Sequence, residues 1–365
     1  MYIKKLEITR FRSYDHIKLS FVPGINVFYG ENGTGKTNIL ESIYWVAMVR
    51  SFRVSDDSFL VKQGKESALI NLDVSDNDLD KIFSMEYSVS SRKKVLKENN
   101  TKVSRMGEMI GKIPVVLFSP ENIMMIKGEP ALRRRFIDDF ISQIDKEYFI
   151  TLNKYTKEVA HRNYLLKGIR DGRIKKDNLL VWNEQIKNNG TKILLSRVKA
   201  LKALNLILKE KLSDEIAGIS VGYVSKVIPE LDEEHINKKY QEFFQNNLDE
   251  EIARATTLIG PHRDDLEIFY NSQPAKQFAS EGQQRISVIL IKLAEGLLIR
   301  EKRGSYPIVL LDDFSSELDD PNRRFIGKTF SLFEQILVTT TYKENLKGFE
   351  PSREFLVEKG SVKEV

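Results

Sequence analysis

Gly30-Glu31-Asn32-Gly33-Thr34-Gly35-Lys36-Thr37 matches the phosphate-binding pattern G-x-x-x-x-G-K-[ST] at every fixed position. The glycines permit a tight loop whose backbone N–H groups can wrap a triphosphate. Lys36 can reach the β- and γ-phosphates, and the Thr37 hydroxyl can ligate Mg²⁺. The flanks fit the match: residues 25–29 read as a short strand, and residues 38–49 as a helix whose positive N-terminal end faces the phosphates. A chance match in an ordinary glycine turn would not require this order of strand, loop and helix.

A chain of 365 residues can bury a large core and has room for two lobes. It has no run of eighteen apolar residues, and it opens on a strand-like, mixed-charge segment instead of a signal peptide, so we expect a cytoplasmic protein with no membrane partner. The absence of cysteine excludes disulfides and cysteine-bound zinc. Four scattered histidines (His16, His161, His235, His262) form no ligand cluster in the sequence, so a metal is expected to arrive with the nucleotide.

Working outward, Ile17, Leu19 and Phe21 alternate with polar residues before a turn at Pro23-Gly24, and Leu6 and Ile8 do so more weakly. Beyond the loop helix, residues 68–74, 83–89 and 94–97 resemble strands, with Asn99-Asn100 as a hairpin tip. An antiparallel sheet beside the nucleotide core is the expected result. From about Pro120 the period changes to long helices at 131–168, at 178–217 with a break at Gly190, and at 233–258. From Gly260 strands resume, with Leu266, Ile268 and Tyr270 alternating. The predicted organisation is an ATPase lobe of residues 1–125 and 259–365 interrupted by a mainly helical lobe of residues 126–258.

The insertion hides a charge asymmetry. Residues 133–211 hold 19 Lys or Arg against 9 Asp or Glu, and residues 212–251 hold 3 against 10. The basic half, starting with Arg133-Arg134-Arg135 and including Lys175, Lys176, Arg197, Lys199 and Lys202, suits phosphate backbones. Charge alone leaves an ordinary solvated helix face equally open.

Downstream, Ser280-Glu281-Gly282-Gln283 opens a helix with apolar spacing at Ile286, Ile289, Leu290, Leu293 and Leu297. Ser280 is placed to cap that helix. Ile308-Val309-Leu310-Leu311 then delivers Asp312 and Asp313, as a buried strand delivers carboxylates to its C-terminal edge. Asp312 suits a metal partner and Asp313 a group that orients an attacking water. Ser315-Ser316-Glu317-Leu318-Asp319 follows.

The order of phosphate loop, long insertion, Ser-x-Gly-Gln signature, acidic strand and Ser-x-Leu-Asp loop resembles the ABC-type ATPase heads of the SMC group. Within that group it resembles the RecF family of bacterial recombination mediators, over nearly the whole chain. Tyr2-Ile3-Lys4, Phe11-Arg12-Ser13-Tyr14, Phe118-Ser119-Pro120-Glu121-Asn122, Arg133-Arg134-Arg135-Phe136-Ile137-Asp138 and Gly260-Pro261-His262-Arg263-Asp264-Asp265 carry the likeness. The implied fold class is α/β: a P-loop NTPase of ABC/SMC-head type with an adjacent antiparallel sheet and an inserted mainly helical lobe.

The resemblance also implies roles. ATP would be held by Gly30, Glu31, Asn32, Gly33, Thr34, Gly35, Lys36, Thr37 and Asn38 with Arg12, and Mg²⁺ by Thr37 and Asp312. Asp313 would occupy the catalytic carboxylate position with Lys36, while Ser280, Gly282 and Gln283 complete the site of a second protomer in an ATP-dependent homodimer. The implied partners are duplex DNA, junctions of single- and double-stranded DNA at gaps, and RecR with RecO in loading RecA. The implied roles are repair, replication restart and the SOS response. Two departures matter: many ABC ATPases carry Glu where Asp313 stands, and Val338-Thr339-Thr340-Thr341 offers hydroxyls where they carry a switch histidine. Both point to slow turnover, and the resemblance implies a weak, DNA-stimulated ATPase. An SMC-like structural or end-processing head would need long coiled-coil arms or a nuclease partner, and a small-molecule kinase would leave Ser280 unexplained.

Overall fold

A computed structural model of the chain describes residues 1–76, 79–212, 218–227, 232–313, 327, 329–342 and 350–365. These divide into two compact units, Met1–Asn122 with Val288–Val365, and Ile123–Ser287. Residues 259–287, which the sequence reading assigned to the ATPase lobe, fall in the second unit.

The first unit holds two sheets of six strands. One is antiparallel: β1 (Tyr2–Phe11), β2 (Tyr14–Ser20), β4 (Ser67–Asp76), β5 (Leu79–Ser88), β6 (Lys93–Glu98) and β7 (Thr101–Lys102), in the order β2-β1-β4-β5-β6-β7. Its last hairpin turns at Asn99 and Asn100, both at positive φ, as the sequence predicts. The other runs β15-β14-β3-β13-β12-β8, built from β3 (Gly24–Tyr29), β8 (Val115–Phe118), β12 (Ile308–Leu311), β13 (Gln335–Thr340), β14 (Arg353–Glu358) and β15 (Ser361–Glu364). All its pairings are parallel except that of β14 with β15.

Both β12 and β13 are buried along their whole length, which explains the unbroken apolar run of β12 and the Ile336-Leu337-Val338 centre of β13. Helix α1 (Lys36–Met48) lies between the two sheets. Its Ile39, Leu40, Ile43, Trp45, Val46 and Ala47 are fully buried in one core with strand residues of both sheets. A helix apolar on nearly every side needs such a double cover. Gln335 ties the sheets at one end, accepting from Ile3 N at 2.8 Å and donating to Ile3 O at 2.9 Å.

The second unit contains α2 (Met124–Lys127), α3 (Pro130–Ile144), α4 (Lys146–Arg170), α5 (Leu180–Lys211), α6 (Glu233–Asn246), α7 (Leu248–Arg254) and α8 (Ala275–Phe278). It also contains a sheet of three strands, β9 (Ile219–Val224), β10 (Asp265–Tyr270) and β11 (Gln273–Pro274), in the order β11-β10-β9. Helix α9 (Glu281–Arg303) begins in this unit and continues into the first.

Several sequence expectations change here. The predicted helix over 131–168 is two helices, because Asp145 leaves helical geometry (φ −138°) and caps α4 by accepting from Tyr148 N. The predicted helix over 233–258 divides at Asn247 and ends at Ala255, a left-handed residue. Gly190 does not break α5; a Cβ there would meet the Tyr240 hydroxyl at 2.8 Å, so glycine permits a close helix contact. The strand after Gly260 pairs with β9 instead of rejoining the sheets of the nucleotide core.

Buried ion pairs bind the helices of this unit together. Arg162, fully buried, meets Glu251 at 2.5 Å and also donates to Thr257 Oγ1 and Asn183 Oδ1. Arg197, 2% exposed, pairs with Asp138 and donates to Pro261 O at 2.7 Å. Burying such charges is tolerable only where each donor finds an acceptor, and removing one partner costs about 3–5 kcal/mol.

Candidate nucleotide-binding site

The loop between β3 and α1 takes backbone conformations that favour glycine: Gly33 has φ 80° and Gly35 φ 110°. At Gly35 a Cβ would meet Ser13 Oγ at 2.6 Å and the Tyr14 hydroxyl at 2.9 Å, so the β1–β2 turn backs the loop closely. At Gly33 a Cβ meets nothing within 4 Å, so this loop residue faces open space. Thr34 Oγ1 donates to Glu31 O at 2.9 Å, and Lys36 Nζ donates to Gly30 O at 2.6 Å and Glu31 O at 2.8 Å.

The loop is thus curled around its own lysine. Burial lowers the pKa of Lys36, while the negative charges of Asp313 and Asp312 raise it. Helix α1 starts with Gly35 as N-cap, without a side-chain cap or an acidic residue in its first turn. Its leading N–H groups therefore suit an anion brought from outside the chain.

Opposite stands Asp312. Sheet order places β13 between β3 and β12, so Asp312 reaches the loop helix past a strand. Its Oδ1 accepts from Thr37 Oγ1 at 2.8 Å and from Thr339 Oγ1 at 2.6 Å. Burial raises the Asp312 pKa, the two hydroxyls lower it, and the charges of Glu121 and Asp313 raise it further. A carboxylate crowded by like charge beside a hydroxyl is a hard-oxygen set that fits Mg²⁺ once triphosphate oxygens complete it. Among the described residues, no group of three or more His, Cys, Asp or Glu could hold a metal without such help.

Asp313 is exposed, with φ 46°, and its N–H donates to Thr339 Oγ1 at 3.0 Å. Thr339 therefore fixes both acids, accepting from one backbone and donating to the other side chain. Sequence reading found Thr339 only as a residue standing where a histidine was expected.

Around this centre Asn38 Nδ2 donates to Ser13 Oγ at 3.0 Å, and Thr341 Oγ1 donates to Asn32 Oδ1 at 3.1 Å. The Arg12 guanidinium is engaged by Glu41 of α1 at 2.7 and 2.9 Å and by Phe59 O at 3.0 Å. Glu41 is fully buried and also accepts from Ser51 Oγ at 2.5 Å. Sequence reading had no signal for Glu41, because a lone acid on a loop helix reads as surface.

In the second unit Ser280 caps α9 reciprocally: Gln283 N donates to Ser280 Oγ at 3.3 Å and Ser280 N donates to Gln283 Oε1 at 2.8 Å. Ser280 and Gly282 are exposed, and a Cβ at Gly282 would meet nothing within 4 Å. Residues 315–319 lie outside the described residues.

Of the arginine triplet, Arg133 is turned inward and does not fit the expected phosphate-binding row, whereas Arg135 is exposed. Arg133 is 8% exposed, pairs with both oxygens of Asp265 at 2.8 and 2.9 Å, and donates to Met125 O and Gly128 O. Arg134 donates to Asp264 O at 2.8 Å, and Arg135 lies 3.9 Å from Asp139. Arg197 is likewise spent on Asp138. Lys175 and Lys176 are exposed, the latter 3.0 Å from Asp249.

A phosphate loop opening an uncapped helix, an acidic strand one strand removed and touching that helix, and a separately capped Ser-x-Gly-Gln helix define an ABC-type ATPase head. The family model described as the RecF/RecN/SMC N-terminal domain matches residues 2–362. The chain is 36% identical to the DNA replication and repair protein RecF of Clostridium perfringens over 99% of both chains, and 36% identical to that of Alkaliphilus oremlandii over 99% of this chain and 100% of the other. Among solved structures it resembles the recombination mediator RecF with ATP, of the RecFOR pathway, at TM-score 0.91 and 33% identity, covering 100% of this chain and 97% of the other. An SMC head bound to the winged-helix domain of ScpA shares the fold at TM-score 0.56 and 19% identity. The chain belongs to the RecF family.

Proposed function

We propose that this chain is an ATP-dependent DNA-binding recombination mediator that dimerises around ATP on duplex DNA and at single-/double-strand junctions. With RecO and RecR it would aid RecA loading at gaps in the cytoplasm, hydrolysing ATP slowly. The contact of Thr37 with Asp312 at the mouth of an uncapped helix carries the nucleotide half of this reading. The RecF relatives, named for DNA replication and repair, support the DNA half.

Bound Mg·ATP would supply a triphosphate whose charge answers the N–H groups of α1 and whose terminal phosphoryl group is the one transferred to water. In this reading Lys36 would hold phosphate oxygens in place of its loop carbonyls, and Thr37 and Asp312 would hold the metal. Asp313 orients and deprotonates a water. Its exposure and short side chain leave that water loosely held, which is the physical basis for slow turnover. Ser280 and Gly282, exposed at the start of α9, complete the site of a second copy, and Arg12 closes the nucleotide side. Lys175 and Lys176 offer charge for the DNA backbone.

Light scattering with and without ATP and Mg²⁺ tests the reading. Wild type is expected to dimerise with ATP. Ser280→Arg is expected to bind ATP as a monomer yet fail to dimerise, losing about 1 kcal/mol of stability with its cap. Normal dimerisation of that variant removes the role of Ser280 in completing the second copy's site, and with it the proposed form of the ATP-dependent dimer.

A further inference from the structure

Helix α4 carries Lys157, His161, Tyr164 and Lys167 at spacings of four, three and three, which places them along one face. The His161 ring stacks on Trp182, with centroids 4.1 Å apart and planes at 26°. Tyr164 stands 6.2 Å from His161. Trp182 packs against the small core of Leu165, Leu166 and Leu179, so that core already has its cover. Tyr164 is 65% exposed, so its ring is available beside that of His161 on the outer face.

Charge identifies the occupant. Residues 154–176 carry eight Lys or Arg against two Asp or Glu. Arg170 and Arg173 share Asp171, and Lys176 meets Asp249. Lys157, Lys167 and Lys175 have no carboxylate partner among the described residues. Ile174 lies against Gly168, which brings Lys175 to the Lys167 end of the helix. From Lys157 to Lys167 the face runs about 15 Å.

A polyanion satisfies these lysines, whereas an apolar protein surface leaves them buried and unpaired. Duplex DNA offers phosphates but keeps its bases stacked on one another. Only an unpaired strand offers phosphates together with free base faces. We infer that the outer face of α4 is a platform for single-stranded nucleic acid, with Tyr164 and His161 stacking bases and Lys157, Lys167 and Lys175 meeting phosphates. The inference rests on the reading of the chain as a DNA-binding protein and adds to it the place where the unpaired strand of a junction lies.

The test compares the full chain with Tyr164→Ala and Tyr164→Phe, in ATP and Mg²⁺, by anisotropy of labelled oligo-dT, an abasic strand of equal length and a duplex. Tyr164→Ala is expected to weaken oligo-dT binding about tenfold, as loss of one stacked base does, with abasic and duplex affinities unchanged. Tyr164→Phe is expected to match wild type. Of the two tryptophans Trp45 is fully buried, so oligo-dT should quench fluorescence from Trp182. Equal oligo-dT affinity in Tyr164→Ala, or equal loss on all three probes, overturns the platform. A changed oligomeric state with unchanged DNA binding assigns the face to a second copy and also overturns it. If wild type binds no DNA at all, the proposed function falls with the platform; if it binds duplex alone, only the platform falls.

Discussion

Thr37, in the first turn of the helix that follows the phosphate loop, donates its hydroxyl to Asp312 Oδ1 at 2.8 Å across 275 residues of sequence. Thr339 makes a second donation to the same oxygen from the strand between them. The acid is therefore positioned before any nucleotide is considered, and folding carries the burden of keeping it charged while buried.

That burden gives the first prediction. Asp312→Asn keeps an oxygen for both hydroxyls and removes a charge that burial and neighbouring acids disfavour, so its unfolding temperature should equal or exceed that of wild type. Its affinity for ATP should fall about tenfold or more in Mg²⁺ and change little in EDTA. Calorimetric titration in both buffers checks this. An equal loss in EDTA would mean that Asp312 acts on the nucleotide and not through the metal.

Asp313→Asn separates binding from chemistry. The residue is exposed at φ 46°, a region that Asn tolerates as well as Asp, so the fold should not respond. Single-turnover hydrolysis should slow about a hundredfold while ATP affinity holds. A wild-type rate would move the role to another acid, with Glu317 the first to examine.

What the sequence made legible depends on how local each signal was. The loop at Gly30 to Thr37 and the run from Ile308 to Asp313 each carry a local signal, and the strand, loop, helix and buried strand expected there are the elements observed. Arg133 misled because three adjacent arginines look alike in sequence. Its partner Asp265 lies 132 residues away, and only the fold reveals that the first guanidinium turns inward. The break at Asp145 was hidden because apolar spacing continues from α3 into α4. Strand β9 is short and lies between two long helical segments, where the alternation of Ile219, Val221 and Tyr223 with Ser220 and Gly222 is easily passed over; without it β10 has no visible partner except the sheets of the nucleotide core.

Arg133→Ala should accordingly act on stability. It leaves Asp265 without its partner in a partly buried site and should cost about 3 kcal/mol, seen as a lower denaturant midpoint. The salt dependence of DNA binding should stay as in wild type. Replacing Lys175 and Lys176 by Ala should do the reverse, flattening the slope by about one per lost phosphate contact at unchanged stability. A flattened slope for Arg133→Ala would return it to the DNA surface.

The last prediction concerns His262, whose Nδ1 lies 2.7 Å from the Tyr155 hydroxyl and whose Nε2 lies 3.2 Å from Thr257 O. With both partners satisfied the ring is neutral, accepting from the phenol and donating to the carbonyl. Burial pushes its pKa down from the usual 6.5 to about 4; the Thr257 carbonyl raises it, and Arg263, Arg134 and Arg197 lower it further. Because the folded value lies below the unfolded one, the neutral ring contributes stability above pH 6.5 that is lost as pH falls toward 4. The full span corresponds to about 3 kcal/mol. Nearby Asp264 works the other way: burial raises its pKa, so it takes up a proton more readily in the folded state and offsets part of the loss. Unfolding midpoints should therefore drop between about pH 6.5 and pH 4.5, and His262→Gln should flatten that drop. In the folded protein the ring resonances of His262 should begin to move only below about pH 5. A titration centred near 6.5 would place the ring in water and break its link to Tyr155.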